Sequence, residues 1–127
     1  MSNPAETFTQ FVAAINRHDL DAIAALLGPD HLFVDSLGHR FQGAARMREG
    51  WRVYFAMCPD YRIQIDKSIA RDDTVLAVGE AGGTIDNIPW RIPAAWEAVI
   101  RGGAVLEWRV FADNKPVYEI LAKRRPY

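Results

Sequence analysis

Cysteine occurs once in these 127 residues, at Cys58, so no internal disulfide can form and no Cys-x-x-Cys metal or redox motif exists. Nothing calls for an oxidising compartment. No stretch approaches about 18 uninterrupted apolar residues, which leaves no candidate membrane helix. The opening MSNPAETF lacks the basic patch and apolar run of a secretory signal, so a soluble cytoplasmic protein with no membrane partner is the expectation. An excess of charge of one sign is also missing: 15 Lys and Arg against 16 Asp and Glu leave a net charge of -1, which argues against a nucleic-acid partner. The single basic run, Lys123-Arg124-Arg125, is expected to be a solvated tail. No Ser-His-Asp order, phosphate loop or nucleotide fingerprint is present, and no repeat, low-complexity segment or linker interrupts the chain.

What is present is a hydrophobic half: 50% of the residues are apolar, enough for one domain over residues 1–127 that buries roughly two thirds of its unfolded surface. Phe8, Phe11, Val12 and Ile15 recur at three- and four-residue spacing and predict an amphipathic helix over 5–17. His18 reads as a linker or C-cap residue. Asp19 is an N-cap ahead of Leu20, Ile23, Leu26 and Leu27, and Gly28-Pro29 is expected to stop that second helix. HLFVDSLG follows as a short strand. A third helix is predicted over 43–57, with Met47, Trp51, Tyr54 and Phe55 on one face, Arg46, Arg48, Glu49 and Arg52 toward water, and Pro59-Asp60 ending it. From Tyr61 the pattern changes to period two, in YRIQIDKSI, TVLAVGEAGGTI, AAWEAVI and AVLEWRVFA, with turns at Arg71-Asp72-Asp73, Asp86-Asn87 and Gly102-Gly103. Helices first and consecutive antiparallel strands after them predict an α+β fold, three N-terminal helices packed on a curved sheet.

Asp35 is the residue that most needs an explanation. A carboxylate set among Phe33, Val34 and Leu37 is either held by a neighbour or kept for chemistry, because burying it unpaired costs several kcal/mol or forces it to take up a proton.

The order helix, helix, short strand, helix, long antiparallel strands resembles the nuclear transport factor 2-like superfamily, in particular its SnoaL-like branch. The likeness covers nearly the whole chain and rests on FVAAINRHDLDAIAALL, on VDSLG followed by FQG, and on LEWRVFADNKPVYEIL. It implies a cone closed at its wide end by helices, a cavity for a small apolar or amphipathic ligand, no cofactor, and a homodimer through the outer sheet face. It does not fix a reaction, because the fold carries many. Beside ketosteroid isomerase, Asp35 matches the proton-shuttling aspartate, whereas Phe11 stands in place of the oxyanion-binding tyrosine and Trp96 near the protonated second acid; both of those donors are missing. Beside limonene epoxide hydrolases, Trp108-Arg109 matches their tryptophan-arginine pair, but Val110 replaces the catalytic aspartate that follows it. Asp113 reads as a cap or turn residue.

The resemblance places Trp108, Val110 and Ala112 of the last strand inside the cone, and the same alternation puts Leu76, Val78, Glu80 and Gly82 together, with Glu80 inward. Two carboxylates in one apolar cavity would make an acid and a base, and Asp35, Glu80 and Tyr54 form the expected catalytic set. In the alternative, Glu80 pairs with Arg91 at the rim, and Asp35 accepts from Tyr54 or Trp108 as a structural feature. Phe11, Ile15, Phe33, Trp51, Tyr61, Val78, Trp90, Trp96, Trp108, Val110 and Ala112 are the expected ligand walls, with His39 at the rim as a proton relay. His31 and His39 lack a third ligand, so no metal site is expected. Three functions stay open: a cofactor-independent isomerase, cyclase or hydratase, a non-catalytic small-molecule binder, and a dimeric interaction module.

Overall fold

The computed structural model describes residues 3–124. Helix α1 (Pro4–Arg17) opens where Asn3 accepts the Glu6 N–H at 2.8 Å, and it ends where His18 turns left-handed (φ 55) and returns its N–H to Ala14 and Ile15. The stripe Phe8, Phe11, Val12 and Ile15 is buried, as its spacing requires. Asp19 caps α2 (Leu20–Leu26) by accepting the Ala22 N–H at 3.0 Å.

This helix stops before Gly28-Pro29, and strand β1 (Leu27–Val34) takes over both residues. The cause is a parallel partner: Leu27 registers with Val105 and Leu32 with Glu107, and the slip between them accommodates Pro29, which has no N–H to give a ladder. The short β2 (Arg40–Gln42) folds back on β1. Gly43, at φ 104, then turns the chain into α3 (Ala44–Met57), which buries Met47, Trp51 and Phe55.

Strands β3 (Arg62–Arg71), β4 (Thr74–Ile85), β5 (Ile88–Arg101) and β6 (Ala104–Ala112) follow as an antiparallel meander. Positive φ at Asp86 and Asn87 and at Gly102 and Gly103 suits the two tight turns. The sheet runs β2-β1-β6-β5-β4-β3, mixed because β1 and β6 are parallel, and it curves without closing. A last helix, α4 (Lys115–Ala122), absent from the sequence expectation, buries Val117 and Ile120. Just beyond it, Arg124 pairs with Asp86, its Nη2 2.8 Å from Oδ1, instead of ending in a solvated tail; Arg125 lies outside the described residues. The fold is α+β, with helices on the concave face of one sheet. Among the described residues, no helix is long and apolar enough to cross a membrane.

Packing divides that concave face into two. α1 fills one part: Phe8 stacks on Trp108 at 5.6 Å and Phe11 meets it edge-on at 4.9 Å. The other part, under α3 and α4, stays open.

Candidate functional site

The open part is a cavity of about 560 Å³, room for a small organic molecule. Its floor is made of small side chains where the strands cross beneath it, Ala81, Ala94 and Ala112. Its walls are aromatic. Phe33 comes from β1, Trp51 and Tyr54 from α3, Tyr61 from the turn before β3, Trp90 and Trp96 from β5, and Trp108 with Val110 from β6. The chain has four tryptophans, and all four line this space.

The rings brace one another. Tyr54 stands perpendicular to Tyr61 at 4.8 Å, and Tyr61 stacks on Trp90 at 6.1 Å. His18 lies flat on Phe55 at 4.0 Å and its Nε2 meets the Tyr61 carbonyl at 2.8 Å, so the α1 C-cap also fixes the wall. Burial pushes the Tyr54 and Tyr61 phenols above the ordinary tyrosine range, which keeps both protonated and able to donate. The indole N–H groups of Trp51 and Trp90 are buried with no acceptor among the described residues; that of Trp90 lies close enough to Cys58 to favour its thiolate without reaching hydrogen-bond geometry. Burial outweighs that contact and pushes the Cys58 thiol up, so the lone cysteine is a poor nucleophile.

Asp35 borders the mouth of the cavity, with a quarter of its side chain exposed. It follows the last residue of β1, and its carboxylate organises the turn that comes next: Oδ1 accepts the Leu37 and His39 N–H groups, both at 2.9 Å, and Oδ2 lies 3.1 Å from His39 Nδ1. The expectation of an acid buried among Phe33, Val34 and Leu37 is corrected in that respect, because the turn carries Leu37 outward to 61% exposure. His39 is mostly exposed and reaches Asp35 from outside the cavity.

Other placements also change. Glu80 lies on the convex face, 2.9 Å from Arg91, so it has the partner of the alternative but not its place at the rim, and Val78 is exposed on that face too. Asp35 and Glu80 therefore do not share a cavity, and the two-carboxylate arrangement does not form. Phe11 and Ile15 are fully buried in the α1 packing and do not line the open space. The alternation at β4 holds, with Leu76, Val78 and Glu80 on one face, but that face is the outer one, because the larger side chains there face out while Ala77 and Ala81 face in.

Sequence reading missed Phe41, Arg46, Glu49 and Val53 at the mouth, Asn114 just before α4, and Val117, Tyr118 and Leu121 from α4. The signal for the last group was available: Val117, Ile120 and Leu121 fall at helical spacing after Asn114-Lys115-Pro116. Among the described residues, no three His, Cys, Asp or Glu side chains gather as metal ligands would.

Comparison with known proteins agrees with this architecture. No curated protein sequence matches the chain. Among solved structures, the chain is similar to a protein of ketosteroid isomerase-like fold from Catenulispora acidiphila in complex with trimethylamine, at TM-score 0.77 and 23% identity over 87% of this chain and 86% of that one. It is similar to a candidate SnoaL-like polyketide cyclase from Shewanella denitrificans, at TM-score 0.84 and 12% identity over 95% and 98%. A third neighbour is an epoxide hydrolase of the limonene epoxide hydrolase-like type from M. tuberculosis, at TM-score 0.82 and 18% identity over 94% and 90%. At such identities the likeness speaks for the fold alone. The model of the SnoaL-like domain matches residues 8–117, most of the chain, and the protein therefore belongs to the SnoaL-like domain family, within the nuclear transport factor 2-like superfamily.

Proposed function

We propose that this domain binds a small, largely apolar molecule in the aromatic cavity and that Asp35, at the mouth, exchanges a proton with it, in an isomerisation, cyclisation or hydration without a cofactor. The observation that carries this reading is a cavity of about 560 Å³, walled by four tryptophans, the buried Tyr61 and the partly buried Tyr54, that meets carboxylates, Asp35 and the Arg52-paired Glu49, only at its mouth. An apolar body gains from leaving water there, at roughly 25 cal/mol for each Å² removed, and a reacting carbon near the mouth comes within reach of Asp35. Tyr54, held protonated by burial, is the donor for the oxygen that gains charge. Glu80 has no part. A neighbouring structure of the same fold is a complex with trimethylamine, which supports occupancy by a small organic molecule.

The test is proton exchange. In D2O with a panel of aromatic and cyclic ketones, the wild-type chain is expected to speed deuterium uptake at the α-carbon of at least one, and Asp35→Asn to lower that rate by roughly 10²-fold or more. Asparagine keeps the Oδ1 acceptor for Leu37 and His39, so the turn survives. No uptake with any ketone removes the proton-transfer claim. The second reading, a non-catalytic binder, is favoured by the engagement of both Asp35 oxygens within their own turn, and it predicts ligand affinity unchanged in Asp35→Asn. On the convex face, exposed Ile69, Leu76, Val78 and Phe111 support a homodimer through the outer sheet.

A further inference from the structure

We infer that the molecule taken by this cavity is an anion, an apolar body ending in a carboxylate or a similar acidic group, and that Arg46 at the mouth holds the charged end. The inference rests on the cavity being a binding site and adds the chemical class of what it binds. Arg46 lines the mouth, exposed, with its guanidinium carbon 5.1 Å above the ring of Phe41, itself a wall residue. That stacking keeps the cation at the rim, with its donor edge free.

Every other arginine of α3 is committed. Arg48 pairs with Asp21, and Arg52 takes Glu49, the nearest acid of the helix, in two hydrogen bonds of 2.7 and 2.8 Å. None of the ion pairs among the described residues includes Arg46. Helix stability does not explain it either. Arg46 is the third residue of α3, where the helix end is partially positive and an acid is preferred; the first turn carries no acid and Gly43 supplies no side-chain cap. A cation placed against the helix dipole, unpaired, beside an aromatic cavity, is accounted for by a ligand that brings the negative charge.

Glu49, the second carboxylate at the mouth, is engaged by Arg52, and the uncharged donors of the wall have the sense an anion needs. Tyr54 and Tyr61 remain protonated donors, and the Trp51 N–H lacks an acceptor among the described residues, whereas that of Trp90 faces Cys58. Asp35 does not oppose an anion as a bare charge would, because three N–H groups already surround its oxygens.

Two probes separate charge from shape: 8-anilinonaphthalene-1-sulfonate, and N-phenyl-1-naphthylamine, the same ring skeleton without the sulfonate. Energy transfer from the tryptophans reports occupancy of the cavity, and Ala112→Trp, which fills the floor, serves as the blocked control. Arg46→Met keeps the apolar stem on an exposed helix position and removes the charge. It is expected to weaken the sulfonate about tenfold, the worth of one charged hydrogen-bonded contact, and to leave the neutral probe unchanged. Arg46→Lys should recover part of the loss, about 0.5 M salt should erase the difference between wild type and Arg46→Met, and Arg48→Met should change neither probe. If both probes bind and Arg46→Met affects them equally or not at all, the anion assignment is overturned while the cavity reading stands. If neither probe shows transfer that Ala112→Trp abolishes, the binding site itself is refuted and the assignment falls with it.

Discussion

His31 is fully buried on β1, and only one of its ring nitrogens is satisfied. Nδ1 lies 2.8 Å from the Val105 carbonyl and must donate, which leaves Nε2 bare and without a partner among the described residues. Burial pushes its pKa below the ordinary 6.5, against a weaker upward pull from the Val105 contact, so the folded chain holds the ring neutral. The unfolded chain takes up that proton first as pH falls below about 6.5. From there down to the lower folded pKa the unfolded state binds more protons, and stability declines with falling pH. The melting temperature should therefore drop between about pH 7 and pH 5, and His31→Asn, whose amide replaces the Nδ1 donor, should flatten that drop at a cost of roughly 1–2 kcal/mol for the volume lost. An unchanged pH profile in His31→Asn would show that the titration belongs elsewhere. Residue roles that depend on near neighbours were legible in the sequence: His18 and Asp19 cap as read. Roles that depend on a distant partner were not, since nothing near His31 announces Val105.

At the scale of elements, α4 is the least anticipated part and the one that closes the site. Eight residues form a marginal helix alone, and this one is held by burial of Val117 and Ile120 and by its ends. At its start, Asp113 accepts the Lys115 N–H at 3.0 Å and Asn114 donates to Ser36 Oγ at 2.8 Å, tying the helix to the Asp35 turn across the mouth. Asn114→Ala should cost about 1 kcal/mol locally and speed amide exchange over residues 115–122 by roughly fivefold, with the strands unaffected. Exchange at the wild-type rate would mean that apolar burial alone seats the helix. The pattern that hid α4 was its brevity. The pattern that misled at β4 was hydrophobicity itself: alternation was read correctly in β6, where bulky Trp108 marks the inner face. In β4 the inner face carries Val75, Ala77 and Ala81, and the outer face carries Leu76 and Val78. Larger apolar residues outside and smaller ones inside invert the usual rule in this strand, and of its inner residues only Ala81 borders the cavity.

The same inversion has a consequence for the whole molecule, because the large residues that β4 turns away from the cavity are left on the convex face. Ile69 registers with Leu76, Lys67 with Val78, Val78 with Ala95, and Ala95 with Phe111, so the exposed apolar side chains form a band across β3 to β6. Arg109, lying over Phe111 at 5.4 Å and registered with Glu97, supplies charge of both signs at its margin. A two-fold axis through such a band brings apolar residues onto their own copies and lets each margin face the opposite sign, which is what an isologous pair requires. We expect the chain to sediment as a dimer at micromolar concentration and Val78→Lys, which sets an ammonium at the centre of the band, to sediment as a monomer. Probe binding should be unchanged in that variant, because Val78 and the cavity lie on opposite faces of the sheet. A monomeric wild type would leave the band without this partner, and a Val78→Lys variant that loses the cavity probe would show that the two faces are coupled through β4.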